Sequence, residues 1–147
     1  MNNIRKARIE DLIRISEIEV FNYRLNFYPI FRNDDYYFNE LSVPNLIKRY
    51  ENRLNNIYVY DDGVIKGFIE IEHYELKKLF VEPVLQNQSI GTKLLKYAID
   101  EFDVAYLWAL KKNIRAINFY LRNGFVLSDE IKLEEGTSEY LIKMNRK

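Results

Sequence analysis

Residues 86–92 have the side chains and the glycine that a binding site for a phosphate group requires. They follow a predicted strand and precede a predicted helix, so they would present unpaired backbone amides and the positive end of the helix dipole. Gly91 allows close approach of a ligand to the backbone, and the hydroxyls of Ser89 and Thr92 could bond to a phosphate oxygen. The sequence therefore predicts an anion site, although an ordinary helix start with Ser89 as its N-cap explains the same residues.

Two common nucleotide-binding motifs do not fit this segment. The order Gly91-Thr92-Lys93 differs from that of a P-loop, and the sequence contains no glycine-rich dinucleotide fingerprint. The ligand would therefore be another kind of phosphate carrier.

The predicted strand before this segment, over residues 75–81, changes its side-chain alternation near Lys77. Leu76 and Leu79 are at odd spacing, whereas Leu79 and Val81 are at even spacing. A β-bulge is the usual way to restore the alternation, and it leaves backbone groups unpaired. The residues whose amides could then bind a ligand are Leu79, Phe80 and Val81.

Hydrophobic periodicity predicts the elements that hold these segments in place. Predicted strands cover residues 4–7, 57–60, 64–72, 75–81, 104–110, 125–133 and 139–144, and predicted helices cover residues 10–29, 43–54, 89–102 and 113–123. Asp61-Asp62-Gly63 predicts a tight hairpin turn, and the strands at 75–81 and 104–110 form a parallel pair through the helix between them. We therefore expect one α/β (α+β) domain over residues 1–147, with a mixed, mostly antiparallel sheet of about six or seven strands flanked by about four helices.

The composition excludes several classes of protein. The 22 Lys and Arg residues balance the 22 Asp and Glu residues, which is not typical of a general nucleic-acid-binding protein. The chain has no cysteine, which excludes a disulfide, a thiolate metal site and a cysteine nucleophile. No apolar run resembles a secretory signal or a membrane span. We expect a cytoplasmic protein that binds neither nucleic acid nor membrane and uses no metal.

Two stretches of the sequence resemble the two core motifs of the GNAT superfamily of acyl-coenzyme-A-dependent N-acetyltransferases, namely LFVEPVLQNQSIGTKLL and LWALKKNIRAINFYLRNGF. With the strands before them, the resemblance covers residues 57–125. In the first motif Gln86 and Gly91 match the family, which has glycine or alanine at the second of these positions, and Ser89 stands where the family usually has glycine. The matching residues of the second, more specific motif are Asn113, Ala116, Phe119, Tyr120, Gly124 and Phe125.

The resemblance implies acetyl-coenzyme A as co-substrate, held where the bulged strand and the following parallel strand separate. The amides of residues 88–92 would hold its pyrophosphate, and Asn113 would bond to its pantetheine arm. The full set of expected cofactor-binding residues is Leu79, Phe80, Val81, Gln86, Asn87, Gln88, Ser89, Ile90, Gly91, Thr92, Asn113, Asn118 and Tyr120.

The resemblance also places Tyr120 beside the cofactor sulfur. Attack of an amine on a thioester expels a thiolate, and a phenol with a pKa of about 10 can protonate it. Tyr120 would then be the general acid of a direct transfer within a ternary complex. Taken alone, a tyrosine on the apolar face of a helix is also typical of a core, and Asn113 is also a good helix N-cap.

The attacking amine must be neutral, which calls for a base. The candidates enter the bulged strand from the strand before it, and they are Glu70, Glu72, His73 and Glu75. We favour Glu72, on the polar face of its strand, and His73, whose ordinary pKa of about 6.5 suits the task. Each is also typical of a solvated surface, and an ordered water could replace them all.

Aromatic residues in the N-terminal helices could line a pocket for a small-molecule or peptide amine as acceptor. They are Tyr23, Phe27, Tyr28, Phe31, Tyr36, Tyr37 and Phe38. The acidic residues Asp34 and Asp35 could attract a cationic acceptor. The same aromatic residues could instead pack the helices onto the sheet or form the contact of a homodimer.

Two other functions are compatible with the sequence. Ser89 and the lack of a clear base would suit a non-catalytic acyl-coenzyme-A-binding module with a regulatory or interaction role. The aromatic content would also suit a protein-interaction domain that does not bind coenzyme A.

Overall fold

The chain forms an open β-sheet with helices on both faces, in a computed structural model that describes residues 3–86 and 88–147. The strands are β1 (Ile4–Lys6), β2 (Ile57–Asp61), β3 (Ile65–Glu72), β4 (Glu75–Val81), β5 (Tyr106–Leu110), β6 (Phe125–Leu133) and β7 (Tyr140–Arg146). The α-helices are α1 (Leu12–Asn22), α2 (Tyr28–Phe31), α3 (Val43–Tyr50), α4 (Ile90–Phe102) and α5 (Ile114–Arg122). Two π-helical segments, Tyr23–Phe27 and Tyr36–Glu40, lie on either side of α2 in the chain. Within the described ranges, no helix is both long enough and apolar enough to span a bilayer.

The sheet has seven strands in the order β1-β2-β3-β4-β5-β7-β6. Strands β4 and β5 are parallel, and every other neighbouring pair is antiparallel. Two hydrophobic clusters cover the two faces, one beneath α4 and α5 and the other beneath α1 and α3. This architecture confirms the predicted mixed α/β fold and the parallel pair formed through α4.

A β-bulge interrupts the pairing of β3 with β4. Glu70 pairs with Lys78 and Ile71 pairs with Leu76, so Lys77 has no partner in β3. The bulge predicted near this residue from the broken alternation is confirmed, because the extra residue returns Leu79 and Val81 to a common face.

Strands β4 and β5 separate soon after they begin. Their pairing is confined to Glu75 with Tyr106 and Leu76 with Leu107. Beyond these pairs the later residues of β4 have no β5 partner, so the sheet opens towards the carboxyl ends of the two strands. Open α/β sheets bind their ligands at such a position.

Gly67 in β3 lets helix α4 lie close to the sheet. A methyl group at this position would lie 2.9 Å from the carbonyl oxygen of Phe80 and 3.0 Å from Leu94 Cδ1. The first of these atoms belongs to the backbone of β4 and cannot move without the strand.

We expect the substitution Gly67→Ala to lower the free energy of unfolding by about 1–3 kcal/mol, because either β4 or α4 must shift to admit the methyl group. Urea unfolding followed by circular dichroism measures this. Gly91→Ala is the matched control, since its new methyl group would meet described atoms only at 3.4 Å or more. Wild-type stability in Gly67→Ala would contradict the close approach of α4.

The first helical region differs from its prediction at the carboxyl end. It continues through the π-helical turn and α2 to Phe31, after which Arg32 adopts a left-handed backbone conformation with φ 52°. The helix was predicted to stop near Pro29 and ends two residues later, because this proline lies in the first turn of α2, where a missing N–H costs little. Phe21 and Leu25 continue the three- and four-residue spacing of Leu12, Ile15 and Ile18, which predicts one buried stripe, but the two residues are 42% and 55% exposed.

Helix α3 begins as predicted. The Ser42 hydroxyl accepts a hydrogen bond from the backbone N–H of Asn45 at 3.4 Å, and Pro44 lies in the first turn. The helix ends at Tyr50 rather than at Leu54, which belongs to a separate short turn.

Candidate functional site

A cleft lies where β4 and β5 separate, and it has two arms. The smaller arm, of about 390 Å³, is lined by the segment between β4 and α4 and is called the loop arm. The larger arm, of about 700 Å³, is lined by the aromatic residues of the N-terminal helical region and is called the aromatic arm. The arms adjoin, since both are lined by Phe27, Leu79, Phe80, Asn113, Ala116 and Tyr120.

The loop arm lies at the N-terminus of α4. The first helical hydrogen bond joins the N–H of Lys93 to the carbonyl of Ser89 at 3.0 Å. The preceding N–H groups of the helix therefore have no acceptor within it. The residues of the expected set that line this arm from the segment and the helix are Gln86, Ser89, Ile90, Gly91 and Thr92. Gln88 is exposed and lies outside the lining, and Asn87 is outside the described residues.

Two arginines from α5 complement this N-terminus. Arg115 and Arg122 both line the loop arm, and neither has an ion pair within residues 3–86 and 88–147. Free helix amides together with two guanidinium groups form a surface suited to a polyanion.

Ser89 adopts a left-handed backbone conformation, with φ 66° and ψ 9°. It occupies the N-cap position, but its side chain makes no capping hydrogen bond. Ser89 therefore has the position of an ordinary N-cap, as the alternative interpretation requires, but not its hydrogen bond. The side chain leaves the first amides of α4 available to a ligand. The conformation also explains why glycine suits this position.

We expect Ser89→Gly to raise the free energy of unfolding by about 0.5–1 kcal/mol. Relief of left-handed strain contributes about 1–2 kcal/mol, and the greater freedom of glycine in the unfolded chain offsets part of it. Thermal unfolding without ligand measures the effect. A variant less stable than the wild type would contradict the assigned conformation.

Gln86 braces the end of β4 through the buried Asn22. The side-chain amide of Gln86 donates to Asn22 Oδ1 at 3.2 Å and to the Val81 carbonyl at 3.4 Å. Asn22, which is 3% exposed, donates to the same carbonyl at 2.9 Å. Gln86 thus fixes the start of the loop to α1 and β4, a role that the sequence did not indicate.

Two amides of β4 face the cleft. The N–H of Glu82 donates to the Lys66 carbonyl at 2.8 Å, so the alternation of an antiparallel ladder directs Phe80 towards β3. The same alternation directs Leu79 and Val81 towards the open edge, where the Val81 carbonyl meets Asn22. Of the three predicted amides, two therefore reach the cleft.

Tyr120 lies where the two arms meet. Its ring packs edge-on between Phe119, at 5.2 Å between centroids, and Phe125, at 5.8 Å. Within the described part of the chain the hydroxyl has no hydrogen-bond partner. Burial raises the pKa of the Tyr120 phenol above its ordinary value, so the group keeps its proton at neutral pH.

The two asparagines of the second motif differ in position. Asn113 caps α5, because its side-chain oxygen accepts the Ala116 N–H at 3.2 Å, and it also lines both arms. The capping interpretation and the binding interpretation are therefore compatible. Asn118 is exposed on α5 and lines neither arm.

The structure does not bring the favoured bases together with Tyr120. Glu72 and His73 are exposed where β3 turns into β4, and neither lines the cleft. This turn precedes the paired start of β4, whereas the cleft opens at the other end of the strand. Glu70 is held by Arg53 in two hydrogen bonds of 2.8 Å, and Glu75 approaches Lys77 at 3.7 Å.

A buried polar network that the sequence did not predict borders the aromatic arm. Lys78, which lines the arm, donates to both carboxylate oxygens of Glu19 at 3.1 Å and to the Tyr50 hydroxyl at 2.7 Å. Tyr50 in turn donates to Glu19, and both residues are almost fully buried. The signal available in the sequence was the three-residue spacing of the polar residues Ser16, Glu19 and Asn22. The structure buries all three in α1.

The wall of the aromatic arm contains five of the seven predicted aromatic residues, and an acidic turn lies opposite. The wall residues are Tyr23, Phe27, Phe31, Tyr36 and Tyr37. Tyr28 and Phe38 pack against each other at 5.4 Å outside the lining. Asp34 and Asp35 also lie outside it, and the carboxylates that line the arm are Glu134, Glu135 and Glu139 from the turn between β6 and β7.

Comparison with solved structures shows the same fold over nearly the whole chain. Apo YjaB of Escherichia coli has a TM-score of 0.75 at 17% identity, with 97% of this chain and 95% of that chain covered. The PaiA N-acetyltransferase of Thermoplasma acidophilum in complex with coenzyme A has a TM-score of 0.68 at 23% identity, with 98% of each chain covered. YncA of Salmonella typhimurium, a putative acetyltransferase with its cofactor acetyl-CoA, has a TM-score of 0.67 at 23% identity, with 96% and 90% covered.

Sequence comparison identifies the family. The peptidyl-lysine N-acetyltransferase YiaC of Escherichia coli is 36% identical over 70 residues, which are 47% of this chain and 48% of that protein. The match thus spans about half the length of this curated relative. The family model of the acetyltransferase (GNAT) domain matches residues 53–127, which contain the bulged strand, the segment between β4 and α4, and Tyr120. The chain therefore belongs to the GNAT acetyltransferase family.

Proposed function

We propose that the protein transfers an acetyl group from acetyl-coenzyme A to a primary amine by direct attack within a ternary complex. The observation that carries this proposal is the position of Tyr120, whose protonated phenol lies where the loop arm meets the aromatic arm. One arm would hold the acyl donor and the other the acceptor.

The donor fits the loop arm in shape and charge. The amides at the start of α4, the Ser89 hydroxyl, Arg115 and Arg122 suit the phosphates of coenzyme A. The edge amides of Leu79 and Val81 suit the carbonyl groups of the pantetheine arm or of the acetyl group. Asn113 offers a side-chain amide at the same junction.

Acetyl-coenzyme A, when bound, supplies the acetyl group as a thioester. The neutral amine nitrogen of the acceptor bonds to the carbonyl carbon as the C–S bond breaks, and the sulfur takes the proton of the Tyr120 hydroxyl. The new amide nitrogen releases one proton to water, and the phenol regains a proton from solvent. We assign the proton acceptor to water because Glu72 and His73 lie outside the cleft lining.

The second candidate is a non-catalytic acyl-coenzyme-A-binding module. It is favoured by the same lack of a predicted base among the residues described along the cleft. Such a module would use the loop arm and leave the aromatic arm to a partner.

Free-thiol release from acetyl-coenzyme A, measured against a panel of primary amines, tests the proposal. Calorimetric titration with coenzyme A runs in parallel. We expect binding together with thiol release above the rate of hydrolysis for at least one amine class. Binding without release by any amine would favour the second candidate, and absence of binding would exclude both.

A further inference from the structure

We propose that the acceptor amine carries a second cationic group, which binds between the Glu134 carboxylate and the aromatic wall. This inference rests on the proposed function, because it concerns the acceptor side of the same cleft. The argument uses the turn between β6 and β7, the charges of the aromatic arm and the rings that face them.

The turn that carries Glu134 is held in one conformation by its own hydrogen bonds. The Glu134 N–H donates to the Glu139 carbonyl at 2.8 Å, and the Glu134 carbonyl accepts from the N–H of Thr137 at 3.1 Å and from its hydroxyl at 2.8 Å. The Glu139 N–H donates to Thr137 Oγ1 at 3.1 Å. Glu134 is half-buried and lines the arm.

The Glu134 carboxylate faces the aromatic wall without a cation of its own. Glu139 pairs with Lys112 at 3.1 Å, whereas Glu134 and Glu135 have no ion pair within the described ranges. Burial chiefly raises the pKa of Tyr23 and Tyr37, and the negative charge of Glu134 adds to the rise in both. The carboxylate thus acts across the arm on the rings opposite.

The basic residues of the arm do not neutralise this carboxylate. Among the described residues, those that line the arm are Lys77 and Lys78. Lys78 directs its ammonium group to Glu19 and Tyr50, and Lys77 approaches Glu75 at 3.7 Å. The arm therefore retains net negative charge on the side of Glu134 and Glu135.

The wall supplies further attraction for a cation. Tyr23 packs against Phe27 at 4.6 Å between ring centroids, and Phe31 stacks with Tyr37 at 6.4 Å. Aromatic faces attract ammonium groups, more strongly when the pair is shielded from water. An acceptor with one end at Tyr120 and an ammonium group at Glu134 would satisfy both ends of the arm, whereas a plain alkylamine would leave the carboxylate unpaired.

The test compares three amines that share a four-carbon chain, namely butylamine, putrescine and spermidine. Initial rates of thiol release give kcat/KM for the wild type, Glu134→Gln and the control Asp129→Asn. Asp129 lies exposed on β6 outside the cleft lining, so the control removes the same charge elsewhere. A lysine peptide with a neighbouring arginine, and its counterpart with glutamate, determine whether a peptide supplies the second cation.

We expect kcat/KM for putrescine and spermidine to exceed that for butylamine by about tenfold or more. This exceeds the statistical advantage of about twofold that putrescine has from its two equivalent amines. Glu134→Gln should remove most of this advantage through KM and lower the value for butylamine far less, while Asp129→Asn should change nothing. Preference for the arginine peptide over spermidine would support the same chemistry with a peptide as its source.

Equal kcat/KM for butylamine and the diamines would overturn the inference while leaving acetyl transfer intact. An equal loss for all amines in Glu134→Gln would also overturn it, because that pattern reports a structural role. Absence of thiol release with every amine would instead contradict the proposed function on which the inference rests.

Discussion

Replacement of Tyr120 by phenylalanine is expected to lower kcat by about 10²–10⁴-fold while the affinity for coenzyme A stays unchanged. The loss is that of a general acid, since the thiolate must then leave without a proton. The fold should tolerate the change, because the hydroxyl has no hydrogen-bond partner within the described residues and the ring keeps its contacts with Phe119 and Phe125. Steady-state thiol release and calorimetric titration measure the two quantities.

Tyr97→Phe is the matched control for this substitution. Tyr97 is a half-buried tyrosine of α4 that packs against Tyr58 and Phe102 and does not line the cleft. Its variant should retain wild-type turnover. Full turnover in Tyr120→Phe would remove the phenol from the mechanism and leave protonation of the sulfur to solvent.

Lys78→Met is expected to lower the free energy of unfolding by about 3–5 kcal/mol, because it leaves the Glu19 carboxylate buried without its cation. Glu19 is only 1% exposed and receives hydrogen bonds from Lys78 and Tyr50. Urea unfolding at neutral pH measures the loss.

Two further variants separate the buried charge from a general effect of removing lysine. The double variant Glu19→Gln with Lys78→Met should recover much of the stability, because it removes both charges together. Lys96→Met breaks an exposed ion pair whose side chains are 74% and 52% exposed, and it should cost less than about 1 kcal/mol. Equal losses in Lys78→Met and Lys96→Met would show that the network contributes nothing beyond a surface pair.

The parts of the fold that depend on side-chain alternation could be predicted from the sequence. The odd spacing of Leu76 and Leu79 indicated the bulge, and the strands and helices around the cleft follow from their hydrophobic periods. Alternation reports which face of a strand a residue occupies, but not which end of the strand faces a cleft. For this reason Glu72 and His73 were favoured as bases although they lie at the closed end of β4.

The polar groups inside the fold were harder to predict. Glu19 and Asn22 lie on the buried side of α1, where apolar residues alone were expected, and their partners Lys78 and Val81 are about 60 residues away in the sequence. The π-helical turns rotate the aromatic residues after Asn22, so a regular helical period placed Leu25 on the wrong face. The left-handed backbone of Ser89 could be predicted only from the glycine that the family usually has at this position, because serine itself does not indicate such a conformation.

The affinity of the double variant Arg115→Gln with Arg122→Gln for coenzyme A is the most direct measurement of the central claim that the loop arm holds the acyl donor. Both guanidinium groups line the loop arm and have no ion pair within the described residues, so the fold should tolerate their loss. Calorimetry should show binding about tenfold weaker or more, with a free energy of unfolding within about 0.5 kcal/mol of the wild type. Wild-type affinity in this variant would contradict the placement of the donor at the mouth of α4.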